Sequence, residues 1–299
     1  MPGVPTPSSR LAAPRLGPRG APLLIATAAF SVQGGAALAI TTFDRAGPLG
    51  AVLLRVGFAA LALCAVAGLR GRLRRPSRDL VAFAVALAAM NACFYEALDR
   101  VPLGVGVTAE LLGPLAVAVA GSRRRADFLW IALAAAGVVL LGSPTLDVDP
   151  LGLGFALAAG GLWALYILLG KRVAMEGDVL GGLATTMLIS AAVLLPFGLA
   201  AGGDGLGEGA VLWRGACVAL LSSVIPYGLE LVSLQLIRAS TFGILMSLEP
   251  AIAALCGAVF LGQALHGLEW LAVVLVIAAS AGASLHAGSA TPAPPGGEP

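Results

Sequence analysis

The chain is 299 residues long, 59% hydrophobic and only 11% charged, with a net charge of +2 and a mean hydropathy of +0.95. Soluble domains carry roughly 25% charged residues, so this chain lacks the polar surface that would cover a globule in water. That excludes a soluble protein, and a bilayer is the expected solvent. The basic residues lie in short loops rather than on one face, so the net charge does not point to nucleic acid and no such partner is expected.

Residues 1–20, "MPGVPTPSSRLAAPRLGPRG", are rich in Pro, Gly and Arg and are expected to be a disordered tail. The apolar run from Pro22 to Phe43 is too long for a signal-peptide core of roughly 7–15 residues, so it reads as an uncleaved first span. A helix needs about twenty apolar residues to cross roughly 30 Å of hydrocarbon. Cutting at charges and turn residues predicts ten spans: 22–41, 48–69, 79–97, 104–121, 127–142, 151–170, 179–200, 211–233, 240–261 and 267–287. Residues 288–299 are expected to be a second disordered tail. The expected fold is an all-α membrane protein with no separate soluble domain.

Alternate loops hold the N-terminal arginines, "LRGRLRRPSR", "SRRRAD", Lys171 with Arg172, and Arg238, fourteen of the eighteen basic residues. The opposite side has Arg45 and Arg100, with Asp44, Asp99, Asp147, Asp149, Asp204 and Glu208. Basic loops stay in the cytoplasm, so both termini are predicted to be cytoplasmic. Laying "VPLGVGVTAELLGPLAVAVAG" over "IRASTFGILMSLEPAIAALCG" places Pro114 on Pro250. With five spans in each half, residues 21–142 and 151–287 enter from opposite sides as an inverted repeat, the plan of many alternating-access carriers.

An ionisable residue inside a span costs about 2.5–3.5 kcal/mol on insertion scales and is usually functional. Arg55 lies seven residues below the outer end of span 2 and Glu110 six below that of span 4, both about 10 Å deep. Their matched depth predicts an ion pair, which either locks two spans together or holds Glu110 ready for a cation or proton. Glu249 is ten residues along span 9, near the midplane. Pro250 beside it frees the Met246 carbonyl, and Pro114 frees that of Glu110, because proline has no N–H to give. Such turns face protein or water rather than lipid, and their oxygens suit an ammonium group. Glu230 lies near the inner end of span 8, where it is either interfacial or part of the site. Trp163, Tyr166, Tyr227, Asn91, Tyr95 and Gln33 are either helix-packing hydrogen bonders or, together, an aromatic polar chamber. Glu96 and Arg214 lie within about a turn of the outer surface and are expected to snorkel there.

No histidine or aspartate is deep, which argues against an intramembrane protease. Cys64, Cys93, Cys217 and Cys256 lack paired spacing and read as packing residues rather than metal ligands. A "GXXXXGK[ST]" motif is missing, so this chain is not expected to drive ATP-powered pumping. A single carboxylate per half, without a charged ring, fits binding and release better than a pore.

"SVQGGAALA", "VPLGVGVTAELLGPLAVAV", "SRRRADF", "LWALYILLGKR" and "PYGLELVSLQLIRASTFGILMSLEPAIAALCGAVFLGQ" resemble the threonine/homoserine exporter branch of the drug/metabolite transporter superfamily, built of two EamA repeats. The resemblance runs from about Ser31 to the tenth span. It implies an inner-membrane exporter of small amino acids that exchanges them for protons, with no cofactor and no enzymatic activity. It also implies a central cavity lined by spans 1, 3, 4, 6, 8 and 9, which carry all the residues above except Arg55. Residues matching Arg55, Glu110, Tyr227, Glu230 and Glu249 recur in the family pattern. The substrate ammonium is expected at Glu249 and the Met246 carbonyl, its side chain against Trp163, Tyr166 and Tyr227, and the proton on Glu110 or Glu249. The expected partners are the amino-acid substrate, protons and membrane lipids; homodimerisation is left open. Gly262-Gln263 replaces the family's usual Gly-Glu, and Ala92-Cys93 stands where a bulky aromatic is usual. The rival readings are a carrier of another metabolite or drug-like cation in the same fold, and a non-transporting scaffold or sensor.

Overall fold

A computed structural model describes residues 20–69, 73–120, 127–141, 148–175, 179–227, 229, 233, 246 and 248–288. Prolines and glycines set where its helices begin and break. Helix α1 (Ala21–Ile40) carries Pro22 in its first turn, where a missing N–H costs nothing. Helix α2 (Phe43–Leu69) is kinked at Gly47, with φ 63° and ψ 163°. Only glycine enters that left-handed region without a Cβ clash, and Pro48 then fixes the restart of the span. Helix α3 (Arg78–Leu98) is capped by Ser77, whose hydroxyl accepts from the Leu80 N–H at 3.2 Å, satisfying one of the four orphan donors of its first turn.

The expected span 104–121 is two helices, α4 (Leu103–Glu110) and α5 (Leu112–Ala120). Pro114 cannot donate to the Glu110 carbonyl, and the chain breaks there. Then follow α6 (Asp127–Leu141), α7 (Pro150–Met175) and α8 (Val179–Ala201). After a 3-10 turn at Asp204–Gly207, α9 (Gly209–Ala219) runs through a π turn at Leu220–Val224 and on to Tyr227. Helices α10 (Glu249–Leu261) and α11 (Gly267–Gly288) complete the described residues, among which there is no strand.

Six of these helices are long and apolar enough to cross a membrane: Pro22–Ile40, Phe43–Gly68, Arg78–Leu98, Pro150–Gly170, Leu180–Ala201 and Gly209–Tyr227. Leu103–Val117, Glu249–Leu261 and Gly267–Ala279 are shorter apolar helices. Large apolar side chains such as Leu23, Val139, Phe197, Trp213 and Phe260 point outward, an exterior suited to lipid rather than water. Charge collects at the two ends of the bundle. Arg45–Glu208 (3.2 Å) and Arg100–Glu96 (2.7 Å) lie at one end, and Arg172–Asp79 (4.0 Å) at the other. The chain is a multi-pass membrane protein.

The interior is built largely from alanine and glycine, which let helices approach closely in the absence of a hydrophobic drive between them. Helix α2 packs on α8, α4 on α10, and α6 on α11. Helix α3 packs on α7 and α8, as α9 packs on α1 and α2; α7 packs on α4 as α1 packs on α10. Exchanging α1, α2, α3, α4 and α6 for α7, α8, α9, α10 and α11 maps these pairs onto one another. The tightest approach is at the α4–α5 break. A Cβ on Gly160 of α7 would lie 2.7 Å from the Glu110 carbonyl oxygen, and one on Gly113 would overlap the Gly160 carbonyl.

Candidate functional site

Arg55 stands in the middle of α2 and is 7% exposed. Its Nε donates to Ser223 Oγ (3.2 Å), its Nη2 to the Ser222 carbonyl (2.8 Å) and its Nη1 to the Tyr95 hydroxyl (3.5 Å). The guanidinium carbon also lies 5.7 Å from the centroid of the Tyr95 ring, within cation–π range. Tyr227 and Glu110 are its further electrostatic neighbours. The expected contact with Glu110 is not made: no carboxylate lies within 4.0 Å of Arg55 among the described residues. Equal depth fixes a residue's height in the bundle but not its bearing about the helix axis.

The acceptors that hold Arg55 come from the π turn. Within it, the Ile225 N–H reaches back five residues to the Leu220 carbonyl. Pro226 has no N–H for the Ser222 carbonyl, its α-helical partner, nor for Leu221, its π partner. Side chains of other helices take both oxygens. Ser31 Oγ donates to the Leu221 carbonyl at 2.6 Å, and Arg55 takes that of Ser222. Ser222 Oγ in turn donates to the Val32 carbonyl at 3.2 Å, so α1, α2 and α9 are tied at one point. Ser31, Ser222 and Ser223 are absent from the sequence expectations. The proline rule applied to Pro114 and Pro250 would have found the Ser222 carbonyl had it been applied to Pro226.

Glu110 is the last residue of α4 and Glu249 the first of α10, and both are buried. Met246 is helical, Leu248 is a turn residue and N-cap, and Pro250 occupies the first turn of α10, so the chain is interrupted just before Glu249 as it is just after Glu110. Helices α4 and α10 run antiparallel, with Gly104 against Ala254. Counted from that contact at about 1.5 Å per residue, Glu110 lies about 9 Å and Glu249 about 8 Å further in. The two acids therefore reach a similar depth on neighbouring helices, Glu249 at the positive end of a helix dipole and Glu110 at a negative end.

At the other end of this pair, the Gln263 side-chain oxygen accepts from the Leu103 N–H at 3.0 Å. The position that departs from the family's Gly-Glu thus supplies the N-terminal cap of α4, a role that sequence reading missed. Gln33 and Asn91 are buried, and Asn91 donates to the Leu87 carbonyl of its own helix at 2.8 Å. Tyr166 stacks on Phe83 with ring centroids 4.6 Å apart, at the α3–α7 contact. Trp163 and Met246 are half-buried. Glu230 lies outside the described residues. The structure thus gathers Arg55, Tyr95, Tyr227 and Glu110, and puts ring-stacking and same-helix contacts on Tyr166 and Asn91. Among the described residues no three His, Cys, Asp or Glu are grouped to hold a metal ion.

Residues 150–285 match the model of the EamA-like transporter family. The chain is 41% identical over 268 residues to the threonine/homoserine exporter RhtA of Escherichia coli (strain K12), covering 88% of this chain and 90% of that protein. It is 40% identical over 268 residues to the protein of the same name in Salmonella typhimurium, with the same coverage of 88% and 90%. Identity to the uncharacterized transporter YwfM of Bacillus subtilis (strain 168) is 29% over 212 residues, covering 65% of this chain and 69% of that one. A solved crystal structure 20% identical to the chain superposes with a TM-score of 0.65, covering 91% of this chain and all of that one, and shares its fold.

Proposed function

Because this chain belongs to the threonine/homoserine exporter branch of the drug/metabolite transporter superfamily, a branch of transporters rather than enzymes, we propose that it exports small amino acids of the threonine/homoserine type across the inner membrane. Export runs by alternating access of two inverted five-helix halves, residues 21–142 and 151–287, with ten spans and both termini in the cytoplasm. The exchangeable packing pairs of α1–α6 and α7–α11 support the two-half reading, and the distribution of Lys and Arg supports the orientation.

The observation that carries the reading is the meeting of two interrupted helices, each with a buried glutamate, at similar depth. Broken helices near the midplane are where carriers built of inverted repeats hold a small charged cargo. Glu249 receives the cargo's ammonium, with the Met246 carbonyl beside it, and Tyr227, Trp163 and Tyr166 bound the space for a short side chain. A proton from outside neutralises Glu110 and resets the empty carrier.

Efflux of labelled threonine and homoserine from proteoliposomes tests this, with and without an inward proton gradient. Wild type should respond to the gradient, and Glu249→Gln should lose at least tenfold in rate. Equal rates in the two proteins would sink the assignment of Glu249, and no efflux from folded wild type would sink the cargo.

A further inference from the structure

The geometry points to a second seat for the cargo: we propose that Arg55 binds its carboxylate. This rests on the amino-acid exporter reading above and deepens it. A guanidinium carries five N–H donors in a rigid fork. In Arg55 three are occupied, all by neutral acceptors: Ser223 Oγ, the Ser222 carbonyl and the Tyr95 hydroxyl. By count one N–H remains on each terminal nitrogen, the pair that meets a carboxylate end-on with two parallel hydrogen bonds.

The charge balance supports the same assignment. Arg55 is 7% exposed and has no carboxylate within 4.0 Å among the described residues. A cation taken out of water without a contacting counter-ion favours an arriving anion. Glu110 acts on Arg55 across a gap, so it steadies the cation without occupying the fork. The acceptors are also fixed in place. Pro226 prevents the Ser222 carbonyl from being drawn back into an α-helical bond, and Ser222 Oγ is tied to α1 through the Val32 carbonyl. A structural arginine would spend its fork on a carboxylate; here neutral groups aim it and leave its end open.

The ligand class is therefore a small molecule with a carboxylate as well as an ammonium, and amines without a carboxylate are excluded. The test compares threonine with threoninol, which keeps the ammonium and side chain but carries CH2OH in place of the carboxylate. Affinities are read from thermal-shift titrations of the purified full chain. Wild type should bind threonine at least tenfold tighter than threoninol. Arg55→Gln should lower threonine to the threoninol level and leave threoninol within twofold. If Arg55→Gln does not fold, Arg55→Lys, which keeps the charge but loses the fork, should cut the preference to about threefold or less. A tenfold preference persisting in either variant overturns the assignment, as does equal binding of both compounds by wild type. Binding of neither compound by folded wild type overturns the amino-acid reading, and this assignment with it.

Discussion

The two glutamates sit beside prolines in similar sequence settings, yet the chain uses them in opposite ways. At Glu110 a helix ends, one residue intervenes and another begins, pressed against the backbone of Gly160. At Glu249 a helix starts after a turn residue, with Pro250 in its first turn. Each proline thus lies in the first turn of the helix after the break, Pro114 in α5 and Pro250 in α10, and what differs is the side of the break that carries the acid. Glu110 closes a helix, at the negative end of its dipole, whereas Glu249 opens one, at the positive end that welcomes negative charge.

The sharpest way to break this comparison is to neutralise each acid separately. Glu110→Gln is expected to abolish the response to a proton gradient while retaining exchange of labelled for unlabelled threonine; Glu249→Gln is expected to lose both. Indistinguishable transport in the two variants would erase the division of labour. Next in size is the packing at the first break. Gly160→Ala places a methyl 2.7 Å from the Glu110 carbonyl oxygen, an overpacking expected to cost about 1–3 kcal/mol in thermal unfolding. Gly161→Ala meets nothing within 4 Å and should stay within about 0.5 kcal/mol. The smallest effects come from the prolines. Pro114→Ala returns a donor to the Glu110 carbonyl and Pro250→Ala returns one to the Met246 carbonyl, and each should stabilise the chain by about 1 kcal/mol while slowing transport. A shift in one variant and none in the other would show that the two breaks are not equivalent.

The apolar helices were readable because hydrophobic length is a property of the sequence itself, and the loosened turn at Pro114 was readable because N–H chemistry is local. What escaped was direction. Residue counting puts Arg55 and Glu110 at one height, but whether they touch depends on rotation about α2 and α4, which follows from packing that no single segment encodes. The sequence leaves Asn91 between helix packing and a chamber, and its Nδ2 donates to the Leu87 carbonyl of its own helix, a choice of acceptor that depends on what surrounds it. Gln263 looked like a lost acid and is a cap for a helix that begins 160 positions earlier in the chain. Ser222 and Ser223 were passed over because hydroxyls in a span are common, and only the arginine opposite gives them meaning.

The π turn at Leu220–Val224 holds one residue more than the α-helix around it would accommodate. It behaves as an inserted letter in the reading frame of the helix Gly209–Tyr227: residues before and after it are out of phase by about 100°. Deleting a single residue there would turn Tyr227 by that angle relative to Trp213 and leave Arg55 facing a different set of groups. The same cluster of contacts would then be unrecoverable by any side-chain substitution, because what had changed is the phase of the helix and not its chemistry.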